Sequence, residues 1–210
     1  RSASFARSFN GIGNFALGMH YINYGKFKEA TEFGELTGNT FNAAEYAMSI
    51  IYSNSYKRLN YGATLKPVLS SFESYQSFGI AADFGLSIAS KSQYTNVSLV
   101  ARNVGTQITT YYNNGNREPI PFNLQAGIST RLKHAPIVLS LNMQHLTNWD
   151  LANPDEEEDT EDGKLFFESN EKFGKQIMRH LVMGAEILPS ENFTLRVGYN
   201  YQRRQELKYD

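Results

Sequence analysis

The chain of 210 residues contains no cysteine, one tryptophan and no long run of apolar residues. The absence of cysteine excludes disulfide frameworks, thiolate zinc sites and cysteine nucleophiles. Because a transmembrane helix needs about 18 or more consecutive apolar residues, the sequence contains no candidate for one. The net charge of -1 gives no electrostatic basis for binding nucleic acid. These absences exclude several classes of protein.

Aromatic residues are abundant, with 13 Tyr and 14 Phe, and apolar residues alternate with polar ones. Between residues 78 and 88 every second residue is apolar, which is the period of a β-strand with one apolar and one polar face. Most of the segments with this pattern have the roughly 9–11 residues that a tilted strand needs to cross a bilayer. The pattern predicts strands at residues 1–8, 13–23, 43–53, 61–71, 77–89, 95–105, 121–132, 137–146, 179–188 and 193–203.

The links between the predicted strands differ in length. Short turns follow the odd-numbered strands, whereas long links at residues 24–42, 106–120 and 147–178 follow most of the even-numbered ones. Outer-membrane barrels have short turns at one end and long loops at the other. The sequence therefore predicts an all-β fold, an antiparallel transmembrane β-barrel of about ten strands that forms a single domain. A soluble β-sandwich, whose apolar face would be its core, also shows such alternation.

In such a barrel alternate side chains of each strand point outward to lipid and inward to the lumen. The apolar residues predicted to face lipid are Phe78, Ile80, Phe84, Leu86, Ile88, Phe122, Leu124, Ile128, Leu139 and Leu141. The charged residues predicted to face the lumen, where opposite charges can pair, are Glu45, Lys66, Asp83, Arg131, Glu186 and Arg196. The candidate partner-binding residues in the long links are Tyr24, Phe27, Phe33, Tyr111, Tyr112, Arg117 and Trp149.

The sequence contains no pattern typical of an enzyme or a metal site. None of the four histidines lies in a motif with ligand spacing, and no nucleophile elbow occurs. The acidic run at residues 154–162 lacks the spaced oxygen ligands of a calcium loop, so its like charges predict a solvated loop. A short amphipathic helix is predicted near residues 172–178. We expect no cofactor, no metal and no catalytic residue.

Pro67 lies inside the fourth predicted strand. Since proline removes a hydrogen bond from the ladder, it marks an edge, a bulge or a gap in a barrel wall. A gap would favour a transporter of hydrophobic molecules. A position near the end of a strand explains the proline equally well, so both interpretations stay open.

Several segments carry a resemblance to a known family. They are FNGIGNFA (residues 9–16), HYINYG (20–25), SFGIAAD (77–83), REPIPF (117–122), RH (179–180) and GYNYQRRQEL (198–207). With these segments the chain resembles the PorQ family of Bacteroidetes outer-membrane proteins. The resemblance covers nearly the whole chain and is weakest at the acidic run.

The resemblance implies a FadL-like barrel in the bacterial outer membrane and a place in the type IX secretion system. PorQ-like proteins belong there to a surface attachment complex with PorU, PorV and PorZ, which processes exported cargo and joins it to lipopolysaccharide. The transpeptidase chemistry belongs to PorU, so this chain would be a scaffold with PorZ-like partners, its long loops extracellular. A FadL-like transporter is the alternative.

The missing initiator Met and the polar end of the sequence predict an internal fragment, truncated at both ends.

Overall fold

The computed structural model describes residues 1–31, 33–111, 117–149, 151, 168–190 and 192–207. Within these residues the chain forms ten β-strands and two short helices. The elements are β1 (Ser2–Phe9), β2 (Gly13–Ala30), β3 (Leu36–Tyr56), β4 (Leu59–Phe72), β5 (Tyr75–Ala89), β6 (Thr95–Thr109), β7 (Asn123–Arg131), β8 (Ile137–Met143), α1 (Glu168–His180), β9 (Leu181–Ser190), β10 (Phe193–Asn200) and α2 (Tyr201–Glu206).

Strands that follow each other in the chain are neighbours in one sheet, in the order β1 to β10. This order confirms the predicted all-β class and the antiparallel pairing of successive strands. In the described part of the chain no pairing joins β1 to β10, so closure into a barrel is not shown. The predicted helix is confirmed and is longer than expected, since α1 begins at Glu168. Among the described residues no helix is both long and apolar enough to span a membrane.

The chain divides into two compact units. The first comprises Arg1–Leu86 and Ala101–Phe122, and the second comprises Ser87–Val100 and Asn123–Asp210. In the first unit Met19 lies opposite Met48, whereas Glu45 lies opposite Ser70. Because successive side chains of a strand point to opposite faces, these pairs define an apolar face and a polar face.

The second unit has the same two-faced construction. Leu139 of β8 lies opposite Ala185 of β9 on the apolar face, and Ser140 lies opposite Gly184 on the polar face. Glu186 is opposite Val138 and belongs to this polar face. One register therefore holds through β8 and β9, because a slip by one residue would exchange the two faces.

The predicted link at residues 24–42 is wrong, because most of it is strand. β2 continues to Ala30 and β3 begins at Leu36, so Tyr24 and Phe27 lie in β2. The register shifts between Asn23 and Gly25, and Gly25 has a φ of 93°. This bulge absorbs one residue and interrupts the period of two by which a strand is recognised. We name residues 24–42 the β2–β3 arm.

Two further strands are shorter than predicted because the backbone leaves the regular strand geometry at their ends. β7 begins at Asn123 instead of at residue 121, since Pro121 has no N–H to donate to a neighbouring strand. β8 ends at Met143 instead of at residue 146. His145 has a left-handed φ of 58°, and its N–H donates to the side chain of Asn123 at 2.9 Å.

The last two strands are bounded by helices. β9 begins at Leu181 and not at Arg179, because Arg179 belongs to the last turn of α1. β10 ends at Asn200 and not at residue 203, because the side chain of Asn200 accepts the N–H of Arg203 at 3.3 Å. An asparagine in this position caps a helix N-terminus, here that of α2.

Candidate functional site

A charged network lies on the polar face of the first unit, on β4, β5 and β6. Lys66 Nζ is 2.6 Å from Asp83 Oδ1, and the two side chains are 20% and 22% exposed. Lys66 also donates to Asn103 Oδ1 at 2.6 Å. The N–H of Asn103 donates to Asp83 Oδ1 at 2.8 Å. The structure thus pairs two of the charged residues predicted to face a lumen, and it adds Asn103, which the sequence prediction missed.

Asn103 has a left-handed φ of 59°, a conformation that asparagine adopts more readily than most residues. The exposed apolar side chains of β6 change from odd to even positions across it: Val97 and Leu99 precede it, and Val104 and Ile108 follow. One irregular residue shifts the alternation of a strand in this way. This change of phase in the sequence is the signal by which Asn103 could have been found.

Residues 117–121, which we name the strap, cross the polar face and are tied to it by two side chains of β6. Gln107 Oε1 accepts the N–H of Glu118 at 2.7 Å. Asn103 Nδ2 donates to the carbonyl oxygen of Pro121 at 3.1 Å. The same asparagine therefore contacts both the charged network and the strap.

The residues of the sheet beneath the strap are mostly small, and several of them are buried. Gln107 Nε2 donates to Ser77 Oγ at 2.7 Å, and each of these residues is 7% exposed. A Cβ added at Gly79 would lie 3.8 Å from Ile120 Cδ1, an ordinary van der Waals contact, so Ile120 lies over this glycine. Ala81, on the same face, is 6% exposed.

The predicted link at residues 106–120 is therefore only partly a loop. Its first residues extend β6 to Thr109, and its last residues form the strap. Of the predicted partner-binding residues in this link, Arg117 is exposed and Tyr111 is half-buried. Tyr112 lies outside the described residues.

An aromatic cluster covers one end of the polar face of the first unit. The rings of Tyr24 and Phe72 are 5.7 Å apart, and those of Phe72 and Tyr111 are 6.2 Å apart. Tyr24 donates its hydroxyl hydrogen to Glu45 at 3.2 Å, and Ala43 is completely buried. The structure thus brings Tyr24 and Tyr111, both predicted to bind a partner, together with Glu45, which was predicted to face the lumen.

The β2–β3 arm carries the remaining predicted residues of this unit. The rings of Phe27 and Phe41 stack at 5.4 Å, and Phe33 at the turn is 92% exposed. Glu29 accepts hydrogen bonds from Thr37 Oγ1 at 2.7 Å and from Asn39 Nδ2 at 2.9 Å. These bonds, the one from Thr37 first, hold the pKa of Glu29 below its ordinary value.

The other predicted lumen-facing charges lie in the second unit. Arg196 Nε donates to Glu186 Oε1 at 2.9 Å, with side chains 73% and 37% exposed. Arg131 lies opposite Val138, which in turn lies opposite Glu186. All three charged residues therefore share the polar face, and two of them form an ion pair.

A buried histidine connects α1 to the segment after β8. His180 is completely buried, its Nδ1 is 2.7 Å from the carbonyl oxygen of Gln144, and its Nε2 is 3.0 Å from that of Trp149. The indole of Trp149 stacks on the imidazole at 4.8 Å. The neighbouring Arg179 donates to the carbonyl oxygen of Leu151 at 2.9 Å. Trp149, a predicted partner-binding residue, thus stabilises the segment in which it lies.

The residues predicted to face lipid are exposed to different degrees. Phe78, Ile80 and Leu124 are half-buried. The others are between 39% and 55% exposed: Phe84, Leu86, Ile88, Phe122, Ile128, Leu139 and Leu141. The members of this set in β5 lie on the phase opposite to Asp83, and those in β8 lie on the phase opposite to Ser140, as the alternation predicts. Phe122, predicted to be in the seventh strand, precedes β7.

A shallow groove of about 250 Å³ lies on the apolar face of the first unit, beside Pro67. Met19, Met48, Leu69 and Phe78 line it. Pro67 is inside β4, which extends to Phe72, so the proline does not stand at a strand end.

Neither a metal site nor a family assignment emerges from these residues. Within the described ranges no three His, Asp or Glu side chains converge as metal ligands would. The acidic run at residues 154–162 lies outside the described residues. Comparison with protein-family models and with curated proteins finds no match. The geometry supports a two-faced sheet with ion pairs and a bound strap on its polar side.

Proposed function

We propose that the chain is a non-enzymatic outer-membrane β-barrel protein of the type IX secretion system that anchors a surface attachment complex. The apolar face is the observation that supports the membrane part of this proposal. Large apolar side chains such as Phe84, Leu86 and Ile88 are at least half exposed. Among the described apolar residues, only Ala43 and Ala81 are buried.

A soluble sandwich would bury such a face against a second sheet, since soluble proteins rarely expose large contiguous apolar patches. Hydrocarbon provides the same burial for a barrel. The polar face of the first unit carries the pair Lys66–Asp83, and that of the second unit carries Glu186–Arg196. Such pairing is what charges do in a polar interior. In the proposed barrel the apolar face contacts lipid and the polar face lines the interior.

The anchoring role rests on the resemblance to the PorQ family and on the β2–β3 arm. β2 has 18 residues and β3 has 21, whereas a strand crosses the hydrocarbon with about 9–11 residues. The surplus residues extend beyond the bilayer and carry the exposed side chains of Phe27 and Phe33. We propose this arm as the docking surface for a PorZ-like partner.

The anchoring proposal is tested by affinity purification from a Bacteroidetes host in which the tagged chain replaces its homologue. Residues 27–41 are replaced by Asn-Gly, because Lys26 and Asn42 lie opposite each other and a two-residue turn can join them. We expect the parent chain to recover a PorZ-like protein and the shortened arm to lose it. Lys57→Gly, in the turn at the other end of β3, is the matched control, since its left-handed φ of 56° suits glycine.

Two outcomes would contradict this account. Recovery of the partner with the shortened arm would show that the arm is not the docking surface. A parent chain that reaches the outer membrane and recovers no attachment-complex protein would contradict the scaffold function itself. Location in the outer membrane is measured separately, by fractionation and by the slower migration of a folded barrel in unheated gels.

A FadL-like transporter is the second candidate, and the groove beside Pro67 favours it. Proline inside β4 removes a ladder hydrogen bond where a barrel wall could open laterally. Under this alternative a labelled fatty acid binds saturably, and Pro67→Ala reduces the uptake. Under the scaffold proposal the chain shows no saturable uptake.

A further inference from the structure

We propose that the strap, residues 117–121, closes the polar face of the first unit to solutes, and that Asn103 is the residue whose contacts hold it closed. This inference concerns contacts within one unit. Its consequence, a barrel interior that is blocked at this point, rests on the proposed function. In that setting a closed strap prevents solutes from passing through the interior, which agrees with a scaffold and not with a transporter.

The sequence of the strap explains why it lies across the sheet instead of joining it. Pro119 and Pro121 have no N–H, so the segment cannot supply the regular donors of a ladder strand. Its hydrogen bonds go instead to side chains, from the N–H of Glu118 to Gln107 and from Asn103 to the carbonyl oxygen of Pro121. The two prolines also restrict the backbone to extended conformations, which lowers the entropic cost of holding it in place.

Asn103 connects the strap to the ion pair beneath it. Its Nδ2 donates to Pro121, its Oδ1 accepts from Lys66, and its own N–H donates to Asp83. These three polar groups therefore have partners in three different parts of the chain. Displacing the strap would leave Nδ2 without its acceptor, so the closed position is favoured as long as the amide is present.

The strap also covers Gly79, which has no side chain to shield the surface of the sheet from solvent. A Cβ added at Gly79 would lie 3.8 Å from Ile120 Cδ1, and Ile120 is half-buried. A thiol introduced at Gly79 would lie directly under Ile120. Since these 210 residues contain no cysteine, that thiol would be the only one in the chain and would report on the strap alone.

The test measures the rate at which a maleimide labels Gly79→Cys in detergent-folded full-length chain. Ser49→Cys, on the polar face of β3, serves as the reference reporter. Asn103→Asp opens the strap, because it replaces the donor to Pro121 with an oxygen, keeps the acceptor for Lys66 and tolerates the left-handed backbone. Asn142→Asp, the same change on the polar face of the second unit, is the matched control.

We expect Gly79→Cys to label at least tenfold more slowly than Ser49→Cys, and Asn103→Asp to remove most of that difference. Asn142→Asp should leave both rates unchanged. If Asn103→Asp fails to fold, Ile120→Ser provides a second release variant with the same expected rise. Equal labelling of the two reporters in the parent, or an unchanged Gly79→Cys rate in both release variants, would overturn the proposal.

These outcomes are independent of the membrane assignment. A chain that shows the protected thiol but does not fractionate with the outer membrane would keep the strap and contradict the proposed function. A chain that lies in the outer membrane but has an unprotected thiol at residue 79 would contradict the strap proposal and leave the proposed function standing.

Discussion

At the scale of single residues, the two ion pairs of the polar faces differ in their surroundings. Lys66 and Asp83 are mostly shielded from water, and the carboxylate of Asp83 also accepts a backbone N–H. Glu186 and Arg196 are more exposed. Solvent screens an exposed pair, so a similar N–O distance contributes less to stability there.

Replacing Asp83 with asparagine removes the charge that Lys66 faces while keeping the side-chain shape. We expect Asp83→Asn to lower the free energy of unfolding by roughly 2 kcal/mol, the range for hydrogen bonds to charged groups. Glu186→Gln, the matched change in the exposed pair, should cost less than about 1 kcal/mol. Urea unfolding of the detergent-folded chain measures both values. Equal losses would show that burial does not distinguish the two pairs.

Glu29, in the β2–β3 arm beyond the residues assigned to the membrane, gives a prediction about pH. Its pKa is lowered by hydrogen bonds from Thr37 and Asn39. A lowered pKa in the folded state means that the carboxylate stabilises the arm at pH values above its unfolded pKa. This contribution is lost as the pH falls through the folded pKa.

Carboxyl carbon NMR of selectively labelled chain should show the pKa of Glu29 below its ordinary value. Thr37→Val removes the shorter of the two hydrogen bonds, so we expect it to raise this pKa. Thr40→Val, also on β3 of the arm, should leave it unchanged. A pKa that does not respond to Thr37→Val would contradict the assigned cause.

At the scale of elements, the alternation of the sequence predicts the number and antiparallel pairing of the strands, and the structure confirms both. The ends of the strands depend on contacts that alternation does not contain. The bulge at Gly25 shifts the phase by one residue, and the predicted second strand ends at residue 23, just before it. The left-handed Asn103 shifts the phase of β6, and the predicted end at residue 105 falls shortly after it, four residues short of Thr109. The strand faces on which Lys66 and Asp83 lie were predictable from the alternation. The contact of the strap with Gln107 was not, because it joins the backbone N–H of Glu118, outside any strand, to a side chain.

The segment after β8 provides a prediction for α1. His180→Phe keeps a ring for Trp149 to stack on but removes both contacts with carbonyl oxygens of the segment. We expect the emission of Trp149, the only tryptophan of the chain, to shift to longer wavelength and to be quenched more readily by acrylamide. His134→Phe, in the turn between β7 and β8, is the control. An unchanged emission spectrum in His180→Phe would show that this histidine does not hold the segment.

At the scale of the whole molecule, each unit has one face of exposed apolar side chains and one face of small, polar and paired charged residues. The central claim is that lipid covers the apolar face. Leu139 and Ser140 are neighbours on β8 and point to opposite faces. They therefore form a matched pair of positions for a probe.

The most direct measurement places an environment-sensitive fluorophore on Leu139→Cys or on Ser140→Cys and reconstitutes each variant in bilayers that contain spin-labelled lipid. The account predicts strong quenching and blue-shifted emission at Leu139, with little quenching at Ser140. The same weak quenching at both positions, or stronger quenching at Ser140, would contradict the claim that the apolar face contacts lipid.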